Sequence, residues 1–230
     1  MSRATGENTG GGPVPSEWEE PAPRDRRSIR HQSTKREIVE SAWQLSDERG
    51  VTGWGLRDVA GRVGMRAPSL YVYFESKSAL YDAMFADGCR AMLDRIEATE
   101  VDPDPVTMLH RAARVFFDFA VEQPARYALL YLRPVPGFEP SPESYRLAVA
   151  ALQALVDVLA SAGVRDASDI DLFTALMTGL ASQQVSNDPQ GRRWSQLVDR
   201  SVDMFLSATL DDSRVPGASA RPRRKTNPAG

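Results

Sequence analysis

The sequence predicts an all-α protein. A three-helix N-terminal domain with a helix-turn-helix precedes a larger helical-bundle C-terminal domain, with about nine helices in all. Three observations predict it. Apolar residues recur at three- and four-residue spacing along most of the 230-residue chain. Helix starts and stops, such as Ser-Pro-Glu ahead of an apolar run and Gly behind one, separate these stretches. No stretch shows the two-residue alternation of a convincing strand, and no internal repeat is present.

Residues 1–30 are rich in Gly, Pro, Ser and charge. They bury too little apolar surface to fold alone and are expected to form a disordered arm. Arg24, Arg26, Arg27 and Arg30 in it either touch phosphates or the minor groove or belong to a solvated linker. The first helix is expected from Ser33 or Thr34 to Arg49, with Thr34 and Glu37 spaced for a capping box. Ile38, Ala42 and Leu45, with Trp43 beside them, form its inward stripe, and Gly50 stops it. Leu56, Val59, Ala60 and Val63 give the second helix, ended by Gly64. Pro68 suits the first turn of a third helix carrying Ser69, Leu70, Tyr71 and Tyr73. Helix, Gly-containing turn and helix form a helix-turn-helix signature, so residues 31–77 make a DNA-binding domain.

Ser76 opens the next helix, to about Ala98, with Leu80, Met84, Met92 and Ile96 on one face. A break at Asp102–Pro105 precedes a helix to about Val121, in which Leu109, Ala112, Val115, Phe116, Phe119 and Ala120 point inward. Pro124 restarts a short helix through Leu132, and a Pro- and Gly-dense loop follows. Ser141-Pro142-Glu143 starts a helix to about Ala162, with Leu147, Ala151, Leu155, Val158 and Leu159 buried. Ser168 or Asp169 opens the next, through about Gln184, and a last helix holds Trp194, Leu197, Val198, Val202, Phe205 and Leu206. Residues 78–210 form the second domain; 211–230, with Arg221, Arg223, Arg224 and Lys225, form an expected disordered basic tail.

Composition narrows the function. Hydrophobic content of 42% and charged content of 26% are ordinary for a globular chain. A single Cys excludes an intramolecular disulfide and a Cys-based zinc site, and fits a reducing cytoplasm. The two histidines, His31 and His110, are far apart, so no metal site and no cofactor are expected. No apolar run approaches a membrane span and the N-terminus lacks a signal-peptide core, so a cytoplasmic protein without a membrane partner is expected. Gly-rich phosphate loops, nucleophile motifs and metal-spaced clusters are missing, which argues against an enzyme. Net charge is −3, yet 24–77 holds eleven basic and seven acidic residues, a net +4. That asymmetry is either a basic reading head on an acidic body or chance scatter.

In a helix-turn-helix the second helix enters the major groove. Arg66 and Ser69 then reach base edges, Arg66 pairing with guanine or else contacting phosphate or simply solvated. Ala67 can approach a thymine methyl group. Leu70 and Phe74 take the inward positions, leaving Tyr71 and Tyr73 for phosphate or sugar. Lys77, beside free N–H groups at a helix start, makes a phosphate clamp, and Arg57 is either a further phosphate contact or a local ion pair.

The run Gly64-Met65-Arg66-Ala67-Pro68-Ser69-Leu70-Tyr71-Val72-Tyr73-Phe74, supported from Thr34 to Phe85, resembles the TetR family of bacterial transcription regulators. The resemblance covers about a quarter of the chain. It implies a homodimeric repressor, released from a palindromic double-stranded DNA operator by a small-molecule effector; an activator or a ligand-free architectural protein is the alternative. The last two helices then offer Leu172, Leu176, Leu180, Trp194, Leu197, Val198, Val202 and Phe205 either for a four-helix dimer interface, which the resemblance favours, or for burial against their own chain. The middle helices offer a pocket for an apolar or aromatic molecule, lined by Cys89, Met92, Phe116, Phe119, Tyr127, Tyr131, Tyr145, Phe173 and Met177. His110, Gln183 and Gln184 are candidate polar anchors. One position departs from the family: Gly55 stands where a helix-capping Ser or Thr is usual.

Overall fold

A computed structural model describes residues 23–212, as nine α-helices and one 3-10 turn, with no strand among them. The helices are α1 (Pro23–Arg49), α2 (Leu56–Val63), α3 (Ala67–Leu70), α4 (Lys77–Glu97), α5 (Pro105–Glu122), α6 (Pro124–Tyr131), α7 (Pro142–Ser161), α8 (Ala167–Asn187) and α9 (Val198–Asp212). The expectations for 1–22 and for the basic tail from 213 lie outside the described residues.

The all-α architecture stands, with α1–α3 as the head and α4–α9 as the body. Most helix starts fall at the residues whose chemistry favours them. Ser76 caps α4 by accepting from the Ala79 N–H at 3.0 Å. Asp104 caps α5 and Ser141 caps α7, each just ahead of a proline. Gly64 ends α2 in the left-handed region (φ 79°), and the Met65 N–H returns to the Ala60 carbonyl at 2.9 Å.

Three expectations need correction. α1 begins about ten residues earlier than the apolar stripe marked, so Thr34 lies inside the helix and no capping box forms there. The added turns are helical without being buried: residues 27–33 are all exposed. Within this stretch the His31 ring stacks on Tyr73 at 4.8 Å. α3 is only four residues long; Tyr71 and Tyr73 lie in the turn that follows it. Finally, α7 is long and apolar enough by length and composition to cross a membrane, contrary to the reading of the sequence. Its apolar flank instead lines a cavity against α4 and α5.

Two cores hold the chain. The first gathers Ile38, Trp43, Leu45, Val59, Leu70 and Phe74 of the head with Leu80, Met84 and Cys89 of α4 and Leu129 of α6. The second joins α5, α8 and α9 through Leu109, Phe117, Phe173, Met177, Val202 and Phe205. The turn between α2 and α3 depends on one backbone conformation. Replacing Gly64 by Ala meets no steric obstacle, because no atom lies within 4 Å of an added Cβ. The cost is conformational, so Gly64→Ala should lower unfolding free energy by about 1–2 kcal/mol, measured as the urea midpoint at unchanged m-value.

Candidate DNA-reading head and effector cavity

The head presents the α2–α3 turn outward. Arg66 is the N-cap residue of α3 and is exposed, with Ala67 half-buried behind it and Ser69 exposed one turn on. Leu70 is fully buried and anchors the short helix. Tyr71 is 54% exposed; Tyr73 is half-buried against His31. Arg57 is exposed in the first turn of α2. Among the described residues neither Arg57 nor Arg66 joins an ion pair, whereas Arg49 pairs with Asp58 at 3.4 Å and Arg62 forks onto Glu48 with two 2.7 Å bonds. Arg66 therefore stands unpaired at the turn, and Arg57 at the opposite end of α2.

Lys77 differs from its expected geometry. Its ammonium donates to the Trp54 carbonyl and lies 4.5 Å from the Trp54 ring centre and 5.2 Å from that of Tyr81. It thereby braces the entry to α2. Trp54 Nε1 donates to Ser46 Oγ at 2.8 Å, and Tyr81 Oη donates to the Val51 carbonyl at 2.9 Å. At the next residue, Gly55 has an extended backbone, and its N–H donates to Asp58 Oδ2 at 2.8 Å. That bond, with Arg49 nearby, holds the Asp58 carboxyl below the usual range. The missing hydroxyl is thus offset by half a capping box.

Behind the head, α4, α5, α6, α7 and α8 enclose a cavity of about 350 Å³, within the usual size range of small-molecule sites. Seven sequence candidates line it: Cys89, Met92, Phe116, Tyr131, Tyr145, Phe173 and Met177. Phe119 and Tyr127 do not. Phe119 lies a turn beyond Phe116, fully buried with the Arg95 guanidinium over its ring. Tyr127 is turned into the core, its hydroxyl bonded to the Thr178 carbonyl at 2.9 Å and Ser182 Oγ at 2.7 Å. None of the suggested polar anchors faces the space either. His110 faces Asp203 and Asp199 of α9, Gln183 bonds Asn187, and Gln184 ties down the loop before α9. Sequence reasoning missed the aliphatic wall on α7, Ala148, Val149, Ala151, Leu152, Ala154 and Leu155. Its small residues carry no chemical signal, although their helical spacing was readable. Burial pushes the Cys89 thiol up to about 12, so it is a neutral wall group rather than a nucleophile.

The proposed dimer residues divide sharply. Val198 and Val202 are fully buried in their own chain; Phe205 packs on Phe173 at 5.1 Å, and Leu180 is 9% exposed. These four belong to the second core, because their stripe on α9 and α8 faces α5. Leu176, Trp194 and Leu197 are half-buried against the same core, and only Leu172 is well exposed. The outward strip instead holds Leu172, Ala175 and Gly179 on α8 with Met204, Ser207 and Ala208 on α9.

Head and body are joined by two helices. α4 runs unbroken from Lys77 beside α2 to the cavity wall at Met92 and Ile96. α6 carries the wall residues Leu130 and Tyr131 and also Arg126. The Arg126 guanidinium stacks 4.7 Å from the Trp43 ring of α1 and lies 3.3 Å from Asp87, which accepts from Trp43 Nε1 at 2.8 Å.

Residues 38–84 match the family model described as bacterial regulatory proteins, tetR family; residues 109–210 match a tetracyclin repressor-like C-terminal domain. The HTH-type transcriptional regulator Rv1816 of Mycobacterium tuberculosis is 30% identical over 156 residues, covering 63% of this chain and 65% of its own length. The tetracycline repressor protein class A from transposon 1721 of Escherichia coli is 28% identical, covering 80% of this chain and 82% of its own. A tetR-family transcriptional regulator from Streptomyces coelicolor has the same fold, with a TM-score of 0.61 at 21% identity, over 79% of this chain and 82% of that one. With family models matching both its reading head and its body, the chain belongs to the TetR family of bacterial regulatory proteins.

Proposed function

We propose that the protein is a homodimeric, sequence-specific DNA-binding repressor, released from a palindromic operator when a small apolar molecule fills the cavity. The single observation that carries this reading is α4, one helix that packs the head core at Leu80 and Met84 and walls the cavity at Met92 and Ile96. A ligand that favours one position of α4 changes the spacing of two heads only by its differential affinity for the two arrangements. A single head makes few contacts, so two heads must enter successive major grooves together. The second copy is expected to dock on the strip of Leu172, Ala175, Gly179, Met204 and Ala208, whose small side chains permit close helix approach. Steric occlusion of a promoter needs no further surface, which is why repression is favoured over activation.

Within the head, Arg66 reads bases, with Ala67 and Ser69 beside it. Tyr71, Tyr73 and Arg57 hold phosphates, and Lys77 acts by bracing Trp54 as well as by its charge. Footprinting of the DNA upstream of this chain's own gene tests the reading directly: a protected palindrome supports it, and no protection at micromolar protein overturns it.

Substitutions separate the roles. Arg66→Ala should cost about 1–3 kcal/mol on the operator and relax preference at one base pair per half-site; Tyr73→Phe should weaken operator and scrambled DNA alike, both read by fluorescence anisotropy. Gly55→Ser should strengthen both DNAs severalfold with preference unchanged. A Cβ at Gly55 finds its nearest atom, Asp58 Oδ2, at 3.6 Å, and the added hydroxyl supplies both a cap and a phosphate contact. Leu172→Glu should convert the sedimenting species to a monomer of 25.3 kDa.

A further inference from the structure

We propose that the cavity accepts an electrically neutral, elongated, mainly aliphatic molecule bearing one hydrogen-bonding group, which the Tyr131 hydroxyl meets, and that it rejects carboxylates and ammonium ions. This rests on the effector-site reading above and deepens it by naming the ligand chemistry.

The charge argument comes from the walls. None of the residues lining the cavity is Asp, Glu, Lys, Arg or His. The charged residues nearest in sequence are engaged or outward. Arg95 is held by Glu122 at 2.6 Å and covers Phe119; Arg146 and Asp157 are on the exposed side of α7; Asp171 is exposed on α8. A charge carried into this space leaves water without a counter-ion, which costs far more than burying a hydroxyl or ketone.

The shape argument comes from α7. Its wall residues run from Tyr145 to Val158, roughly 20 Å of helix at 1.5 Å per residue. They are almost all Ala, Val and Leu. Val149 and Leu152, 48% and 49% exposed, continue this wall with Tyr145. An extended chain covers such a trough, while a compact polar molecule leaves it wet.

The hydrogen-bond inventory then selects the anchor. Thr99 Oγ1 donates to the Arg95 carbonyl and Thr174 Oγ1 to the Asp171 carbonyl, so neither has a proton left for a ligand; the third threonine of the lining, Thr178, is half-buried on α8 and gives its carbonyl to the Tyr127 hydroxyl. The Tyr131 hydroxyl has no hydrogen-bond partner among the described residues. Its ring is fixed edge-on by Phe116 at 5.1 Å and packed beside Tyr127 at 5.7 Å. Tyr131 keeps 37% of its surface exposed, yet the packing around the phenol desolvates it and pushes it above the ordinary tyrosine range, so at neutral pH it is a neutral donor rather than a phenolate. Tyr145 also lines the cavity but is 56% exposed, the more open of the two tyrosines.

The test is calorimetry on the full chain without DNA, at pH 7.5, with four ten-carbon probes: 1-decanol, 2-decanone, decanoate and decylammonium. Decanol and decanone should bind, with decanoate and decylammonium at least tenfold weaker. Tyr131→Phe should weaken 2-decanone at least threefold and move the bound ketone's infrared carbonyl band to that of a non-bonded ketone. Ala151→Phe, which fills the trough from α7, should weaken both neutral probes, with near-ultraviolet circular dichroism confirming the native fold. Three outcomes overturn the proposal: an anionic or cationic probe binding as tightly as decanol, neither neutral probe binding, or an unchanged carbonyl band in Tyr131→Phe. Because DNA is absent, failure of the repressor reading shows elsewhere, as bound 2-decanone that leaves an operator footprint intact.

Discussion

The carboxylate of Asp87 is the point through which the two halves of the molecule are joined. It lies midway along α4 and accepts from Trp43 Nε1 of α1 at 2.8 Å, while the Arg126 guanidinium of α6 approaches it at 3.3 Å and stacks on the same indole. Three helices from head and body therefore converge on one acidic group. The head's own core is small, and it closes only because α4 and α6 contribute Leu80, Met84, Cys89, Ala125 and Leu129 to it. A three-helix unit of this size would be marginal alone. The consequence is mechanical as well as energetic: α4 or α6 cannot shift without repacking the surface on which α1 rests.

A second joint fixes the far wall. Asp82, five residues before Asp87 on α4, accepts from the Ser141 N–H at 2.6 Å, from Ser141 Oγ at 3.0 Å and from Ser144 Oγ at 2.9 Å. These bonds tether the first turn of α7, whose flank is otherwise little buried. The trough has one pinned end near the head and an open aliphatic side. A molecule that lies along α7 also touches α4 and α6, so its contacts fall on the elements that reach Asp82 and Asp87.

The helices and their order were readable because each carries an apolar stripe and a start signal that act locally: Ser76, Asp104 and Ser141 cap within three residues of themselves. The first ten residues of α1 were not readable. Residues 27–33 are exposed, so no stripe marks that stretch, and helix continuity from Thr34 decides its state. The site was legible in part for a related reason. A stripe shows that a helix buries a face, without showing against what. Phe116 and Phe119 lie on neighbouring turns of α5, yet one walls a cavity and the other is closed over by Arg95. Val198 and Val202 read as interface candidates and prove to be the anchor of α9 on α5. Only the packing of a third element distinguishes these cases.

The same limit applies to charge, and it sharpens the reading head. Counted along the chain, the head is a broadly basic surface; in space, part of that charge is committed. Lys77 is turned to the Trp54 carbonyl, Arg62 is forked onto Glu48, and Arg49 is shared with Asp58. These contacts organise the entry to α2, where Gly55 supplies no side chain and the cap is made from its own N–H and Asp58. Without an ion pair among the described residues are Arg66, at the α2–α3 turn, and Arg57, at the far end of α2. Affinity from phosphate neutralisation scales with the number of free cations. On the function proposed above, Arg66 at the turn and the pairing of two heads then matter beside the general attraction of basic side chains to phosphate.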